Sequence, residues 1–124
     1  MASKIDPRGK SDIVRDPISG YIHYTVSDDN SEASERDLID NRWLQRLKRI
    51  FQLQTAWLVY PGAVHTRFLH SLGVMHLAGR FARKLYFHFK EIYPNEPIPD
   101  IEYVVETCRL AGLLHDIGHG PFGH

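Results

Sequence analysis

The chain has 124 residues, with 15 basic and 15 acidic side chains and no net charge, enough for one small domain and no more. Its 43% hydrophobic and 24% charged content excludes wholesale disorder, and its one cysteine, Cys108, excludes an internal disulfide framework and a Cys-rich zinc finger. The longest uncharged run, Ile50 to Thr66, has 17 residues broken by Gln52, Gln54 and Pro61-Gly62, too short and interrupted to span a bilayer. Met1 to Pro7 lacks the apolar stretch of a secretory signal, so the expected compartment is the cytoplasm and no membrane partner is expected.

Residues 1–12 are polar and expected to be a flexible N-terminus. From Ile13 to Val26 the chain reads as two short extended pieces around the turn signal Asp16-Pro17-Ile18-Ser19-Gly20, the second being the β-former run Tyr21 to Val26. Ser34 with Asp37 three residues on predicts a capping box and a short helix through Ile39. Trp43, Leu47, Ile50, Phe51 and Gln54 then fall at helical spacing, with Arg42, Arg46, Lys48 and Arg49 largely off that stripe. Trp43 and Trp57 are expected in the core. Pro61-Gly62 closes this segment.

A long helix is predicted from about Arg67 to Phe89, with Phe68, Leu72, Met75, Ala82, Leu85 and Phe89 on its apolar face. Pro94, Pro97 and Pro99 force a loop, and Asp100 is placed to cap a final helix whose stripe is Ile101, Val104, Val105, Cys108, Ala111 and Leu114. Cys108 on that stripe reads as a buried small hydrophobe. The helix runs out at Gly118 and Gly120. The class is therefore all-α with a small N-terminal β element. The Gly-Pro turn before His124 normally leads into another element, so 13–124 is expected to be the N-terminal part of a longer domain.

Charge is uneven along the chain: net −3 over residues 1–35, net +8 over 36–90 and net −5 over 91–124. A basic middle suits an anionic ligand such as a phosphate or nucleic acid, but basic and acidic faces that pack near each other would cancel just as well.

Eight histidines are many for this length. His70 lies inside the long helix, His115 ends the last one and is followed directly by Asp116, and His119 and His124 come after. Imidazole nitrogen and carboxylate oxygen are common ligands of a divalent metal with open coordination positions. Two helices packed side by side can bring His70 against His115-Asp116. The same residues also fit a plainer arrangement, with His115 favouring the helix C-terminus and His70 a satisfied core residue.

The flanking residues discriminate. Leu110-Ala111-Gly112-Leu113-Leu114-His115-Asp116-Ile117-Gly118-His119-Gly120-Pro121-Phe122-Gly123-His124 resembles the signature segment of the HD-domain phosphohydrolases, and so does Tyr60-Pro61-Gly62-Ala63-Val64-His65-Thr66-Arg67-Phe68-Leu69-His70-Ser71-Leu72-Gly73-Val74. Asn41 to Leu53 is similar to the stretch that precedes them, and Asp16 to Tyr21 to the family's entry turn. The branch most resembled is that of the deoxynucleoside triphosphate triphosphohydrolases, which includes dGTP triphosphohydrolases.

That resemblance implies an HD-type helical bundle core, truncated here, and an enzyme that hydrolyses deoxynucleoside triphosphates to deoxynucleoside and triphosphate. It implies His70, His115 and Asp116 as ligands of a divalent ion (Mn, Mg, Fe, Zn or Ni), with a further aspartate ligand downstream. It implies Arg67 as a phosphate contact that acts on substrate and not on the ion, and Gln52 and Leu53 as deoxyribose contacts. It implies that His119 and His124 line the triphosphate side, one of them a candidate proton donor. The implied partners are a nucleotide substrate and, in the full-length form, further copies of the chain; nucleic acid is not the favoured partner. Two positions depart from the family pattern: Leu69 stands where Glu is frequent, and Gln54 where Gly is frequent. A segment of this length by itself is expected to lack turnover. The alternative function is a non-catalytic regulatory module binding a nucleotide or nucleic acid through the basic middle; a resident metal discriminates the two.

Overall fold

A computed structural model describes residues 10–27 and 33–122. β1 (Lys10–Asp16) and β2 (Gly20–Val26) form an antiparallel hairpin in which Lys10 faces Val26 and Asp16 faces Gly20. The turn is built by Asp16, whose buried carboxylate accepts the backbone N–H groups of Ile18 and Ser19. Gly20 then takes φ +76°, which a residue without Cβ adopts at little cost. The strand begins at Lys10, three residues before the β-former pattern starts. Ile22 is fully buried and plants the hairpin on the helices.

α1 (Glu35–Ile39) carries the expected capping box. The Ser34 hydroxyl accepts from Asp37 N–H, and the Asp37 carboxylate accepts from Ser34 N–H at 2.8 Å. Across the gap to the hairpin, Thr25 N–H donates to Glu35 Oε2 at 3.0 Å and Glu35 N–H donates to Thr25 Oγ1 at 3.1 Å.

The segment from Arg42 to Leu58 is not one helix. α2 (Arg42–Arg46), capped by Asn41, tightens into a 3-10 turn over Leu47–Arg49, and a second 3-10 turn follows at Gln54–Leu58. Between them the backbone is claimed by the chain entering the long helix. Arg67 N–H donates to Ile50 O at 2.8 Å, Gln52 N–H donates to His65 O at 3.0 Å, and Phe51 bridges Thr66. The buried positions are Leu44, Leu47 and Ile50: the last two lie on the predicted stripe, and Leu44 is buried in place of Trp43. Trp43 accordingly points outward, 54% exposed, with the Arg42 guanidinium 5.1 Å above its ring, and Trp57 is exposed as well.

Gln54 has φ +53°, a left-handed conformation in which Cβ crowds the backbone. The glycine frequent here in the resembled family is thereby explained. A Gln54→Val variant, β-branched at this φ, is expected to lose about 1–2 kcal/mol of stability by chemical denaturation, while Gln54→Gly should lose none. Equal losses in the two would contradict the account.

α3 (Arg67–Ile92) starts at the Thr66 cap and runs three residues past the expected end. α4 (Ile101–Leu114) starts at Asp100, whose carboxylate accepts Glu102 N–H at 2.9 Å. The two helices pair antiparallel, as the succession of contacts shows: Arg83 with Glu102, Gly79 under Arg109, Met75 against Gly112, His70 beside His115. Gly112 lies directly on α3: a Cβ there would stand 3.0 Å from Met75 N and 3.1 Å from Val74 C. That contact orients α4 so that Val105, Gly112 and Leu113 are buried while Ala111 is exposed and Cys108 only part-buried, against the predicted stripe. Gly112→Ala is expected to force the helices apart by tenths of an ångström and cost about 1–3 kcal/mol, read as a lowered unfolding midpoint. An unchanged midpoint would show that the crossing is loose.

The core joins Ile22, Ile39, Leu44, Leu47, Ile50, Leu72, Met75 and Leu113. It sits under the first half of α3. In the second half Leu85 and Phe89, expected inside, remain largely exposed, as does Phe81, beside an open apolar groove shared with Ile98, Val104 and Cys108. Arg109 ties α4 to the other elements: it forms a bidentate pair with the buried Glu35 and donates to His23 O at 2.8 Å.

Candidate metal centre

The Gly112–Met75 contact fixes what happens one helical turn further along each helix. His70, in the first turn of α3, meets His115, which follows the last turn of α4, with ring centroids 5.2 Å apart. Asp116 enters from the turn beyond. One ligand atom from each of His70, His115 and Asp116 lies within 4.8 Å of the others. Asp116 Oδ2 is 3.9 Å from His70 Nε2, and Oδ1 is 3.3 Å from His115 Nε2.

The donor set fits a divalent ion on chemical grounds. His115 Nδ1 lies 2.7 Å from Gly112 O. A carbonyl only accepts, so Nδ1 carries the proton and Nε2 keeps its lone pair for coordination. Two imidazole nitrogens and one carboxylate oxygen, with room for further ligands, match the preferences of open transition-metal sites.

Arg67 is 1% exposed and donates from Nη1 to Asp116 Oδ2 at 2.9 Å. Burial pushes the Asp116 carboxyl up, but the Arg67 hydrogen bond and the charges of His115, Arg67 and His119 outweigh it and hold Asp116 below the usual carboxylate range. Burial pushes the His70 imidazole down; Asp116 opposes this, while His115 and Arg67 reinforce it. His70 is thus kept neutral, as a ligand must be.

Both shifts act against acid. A histidine whose pKa is lowered in the fold binds its proton more readily when unfolded, so stability falls as pH drops below the ordinary 6.5. The Asp116 contribution is complete above the ordinary carboxylate range and is lost as pH falls through its lowered value. The unfolding midpoint of the metal-free protein should be flat above about pH 7 and decline below about 6.5, with the first part of that decline reduced in His70→Gln. A midpoint that rises on acidification would contradict this sign.

The structure thus brings four of the sequence-derived candidates, Arg67, His70, His115 and His119, to the carboxylate of a fifth, Asp116, with His119 Nε2 3.5 Å from Asp116 Oδ1. His124 lies outside the described residues. Gln52 and Leu53 stand on the irregular segment that hydrogen-bonds the loop entering α3. Among the described residues no hydrogen bond or ion pair joins them to the Asp116 group, and the Gln52 Oε1 atom is buried without a hydrogen-bond partner. The direct Arg67–Asp116 pair bears on one expectation: Arg67 is bonded to a candidate metal ligand, where the resemblance implied a contact to substrate alone. Three features escaped the sequence reading. Gly112 sets the helix spacing, and a glycine inside an apolar helix does signal close approach. Arg46 and the Glu35–Arg109 pair reach across more than 70 residues, which no local pattern reveals.

Residues 67–124, which carry this group of side chains, match the HD domain family model. Among relatives, it is 46% identical over 112 residues to the deoxynucleoside triphosphate triphosphohydrolase SAMHD1 of Gallus gallus, covering 90% of this chain and 16% of that protein. The same enzyme of Bos taurus is 42% identical over 112 residues, again 90% of this chain and 17% of the relative. A crystal structure of a hypothetical protein from Aquifex aeolicus superposes with a TM-score of 0.63 at 39% identity, over 93% of this chain and 25% of that one. The chain spans a quarter or less of the length of each of these relatives. No helix among the described residues is long and apolar enough to cross a membrane.

Proposed function

We propose that this chain carries the metal- and phosphate-binding segment of a deoxynucleoside triphosphate triphosphohydrolase. The observation that supports the reading most is the convergence of His70, His115 and Asp116 on one point, with the buried Arg67 behind it. The SAMHD1 relatives, which are deoxynucleoside triphosphate triphosphohydrolases by name, support the substrate class.

His70, His115 and Asp116 would hold the divalent ion, whether Mn, Mg, Fe, Zn or Ni. Such an ion supplies Lewis acidity toward phosphate oxygens and makes water nucleophilic near neutral pH. The chain's own groups do the rest. Gly112 O holds the His115 ring in the coordinating tautomer. Arg67 holds Asp116 ionised and brings a permanent positive charge to the edge of the phosphate site, where charge develops as the leaving oxygen departs. His119, beside Asp116, is placed to deliver the proton that the deoxynucleoside oxygen needs as its bond to phosphorus breaks. Gln52 and Leu53 are assigned to the deoxyribose, with the bulk of Gln54 reshaping the pocket relative to a glycine.

A second reading, a non-catalytic nucleotide- or nucleic-acid-binding module, draws on the exposed cations Arg42, Lys48 and Arg49. Product analysis separates the two. Phosphorus NMR of each deoxynucleoside triphosphate with the full-length protein and Mn²⁺ is expected to show inorganic triphosphate, abolished by chelator. Release of orthophosphate instead, or binding without turnover in the full-length protein, would contradict the triphosphohydrolase reading.

A further inference from the structure

We propose that Arg46 is a positioning residue of this site: its guanidinium pins the turn that follows the ligand pair and thereby fixes His119 relative to Asp116. Arg46 Nη2 donates to Ile117 O at 2.9 Å and to His119 O at 2.7 Å, from α2 to a turn 71 and 73 residues away in sequence.

The turn needs an external clamp. It contains Gly118 and Gly120, and among the described residues a Cβ built on either would meet nothing within 4 Å, so the turn is unpacked at both glycines. Its N–H groups are served from within, Ile117 N donating to Leu114 O and His119 N to Asp116 O, both at 3.1 Å. The carbonyls of Ile117 and His119 are both taken by the same arginine nitrogen. The Ile117 side chain, packed on the core, secures the other side of the turn.

Arg46 itself is rigidly delivered. Leu44 and Leu47, on either side of it, are fully buried. Asn41 caps α2, and Gln45 Nε2 donates to Ile39 O at 2.7 Å, joining α2 to α1. The planar guanidinium can serve two carbonyls in a fixed geometry, which a flexible ammonium does less well. Arg46 donates to the backbone of the turn, so its effect on the chemistry passes through His119 and Asp116.

The inference rests on the reading of Asp116 and His119 as site residues, but its test needs no turnover. Wild type, Arg46→Ala and Arg46→Lys are compared metal-free by amide hydrogen exchange and by NMR of the His119 imidazole, then titrated with Co²⁺. In Arg46→Ala, exchange at Ile117 to Gly120 should accelerate at least about tenfold, while Leu72 and Leu113 in the core keep their protection. The His119 ring resonances should move toward those of an exposed loop imidazole such as His65, and Co²⁺ affinity should fall about 10-fold or more. Arg46→Lys, which keeps the charge but not the planar guanidinium, should give the same changes in smaller measure and serves if the alanine variant unfolds. Unchanged exchange and unchanged His119 resonances overturn the proposal, and so does loss of protection at Leu72 in parallel with the turn, which would make Arg46 a general fold contact. Absence of triphosphate release refutes the hydrolase reading and leaves these readouts standing.

Discussion

Arg67→Ala is expected to cost about 3–5 kcal/mol in chemical denaturation, because it leaves Asp116 buried without its cationic partner. Against a total margin of about 5–15 kcal/mol for a domain, that is a large share. The metal-free protein should show it most clearly, since there Arg67 faces Asp116 without a competing ion. The same substitution should also lower metal content, because the carboxylate Arg67 orients is one of the proposed ligands. A phosphate contact pure and simple would spare both stability and metal. A double-mutant cycle sharpens the point: Arg67→Met with Asp116→Leu should be more stable than Arg67→Ala alone, since no uncompensated charge remains. Additive losses in that cycle would show that the pair is incidental.

His115→Ala is expected to reduce bound metal by most of one equivalent and to weaken affinity for an added divalent ion more than about a hundredfold, beyond the 10- to 100-fold typical of an outer-shell partner. Its effect on the metal-free fold should be small, because the His115 side chain is over a third exposed. The two variants therefore differ in kind: Arg67→Ala damages fold and metal together, His115→Ala damages metal alone. Equal metal content in wild type and His115→Ala would remove His115 from the site.

Local chemistry carried much of the fold into view from sequence. The Asp16–Gly20 turn, the Ser34–Asp37 capping box and the Asp100 cap each use side chains that bond their own neighbours, so the signal and the structure are a few residues apart. The segments around His70 and His115 similarly pointed to the group of His70, His115 and Asp116 that could hold a metal ion. What failed was rotation and continuity. The 42–58 segment has helical spacing, yet backbone bonds from Arg67 and to His65 break it, and these come from the far side of the Pro61-Gly62 turn. The faces of α3 and α4 are set by which residue must be smallest at the crossing, Gly112, and not by which residues are most apolar. Periodicity therefore placed Ala111 inside and Phe89 under cover, and neither is buried.

X-ray absorption at the metal edge of the loaded protein tests the central claim most directly. With Zn²⁺ or Mn²⁺ bound, the account predicts two imidazole ligands together with oxygen in the wild type, and one imidazole in His70→Ala. An ion surrounded by oxygen alone, or an imidazole count unchanged by His70→Ala, would contradict a centre built from His70, His115 and Asp116.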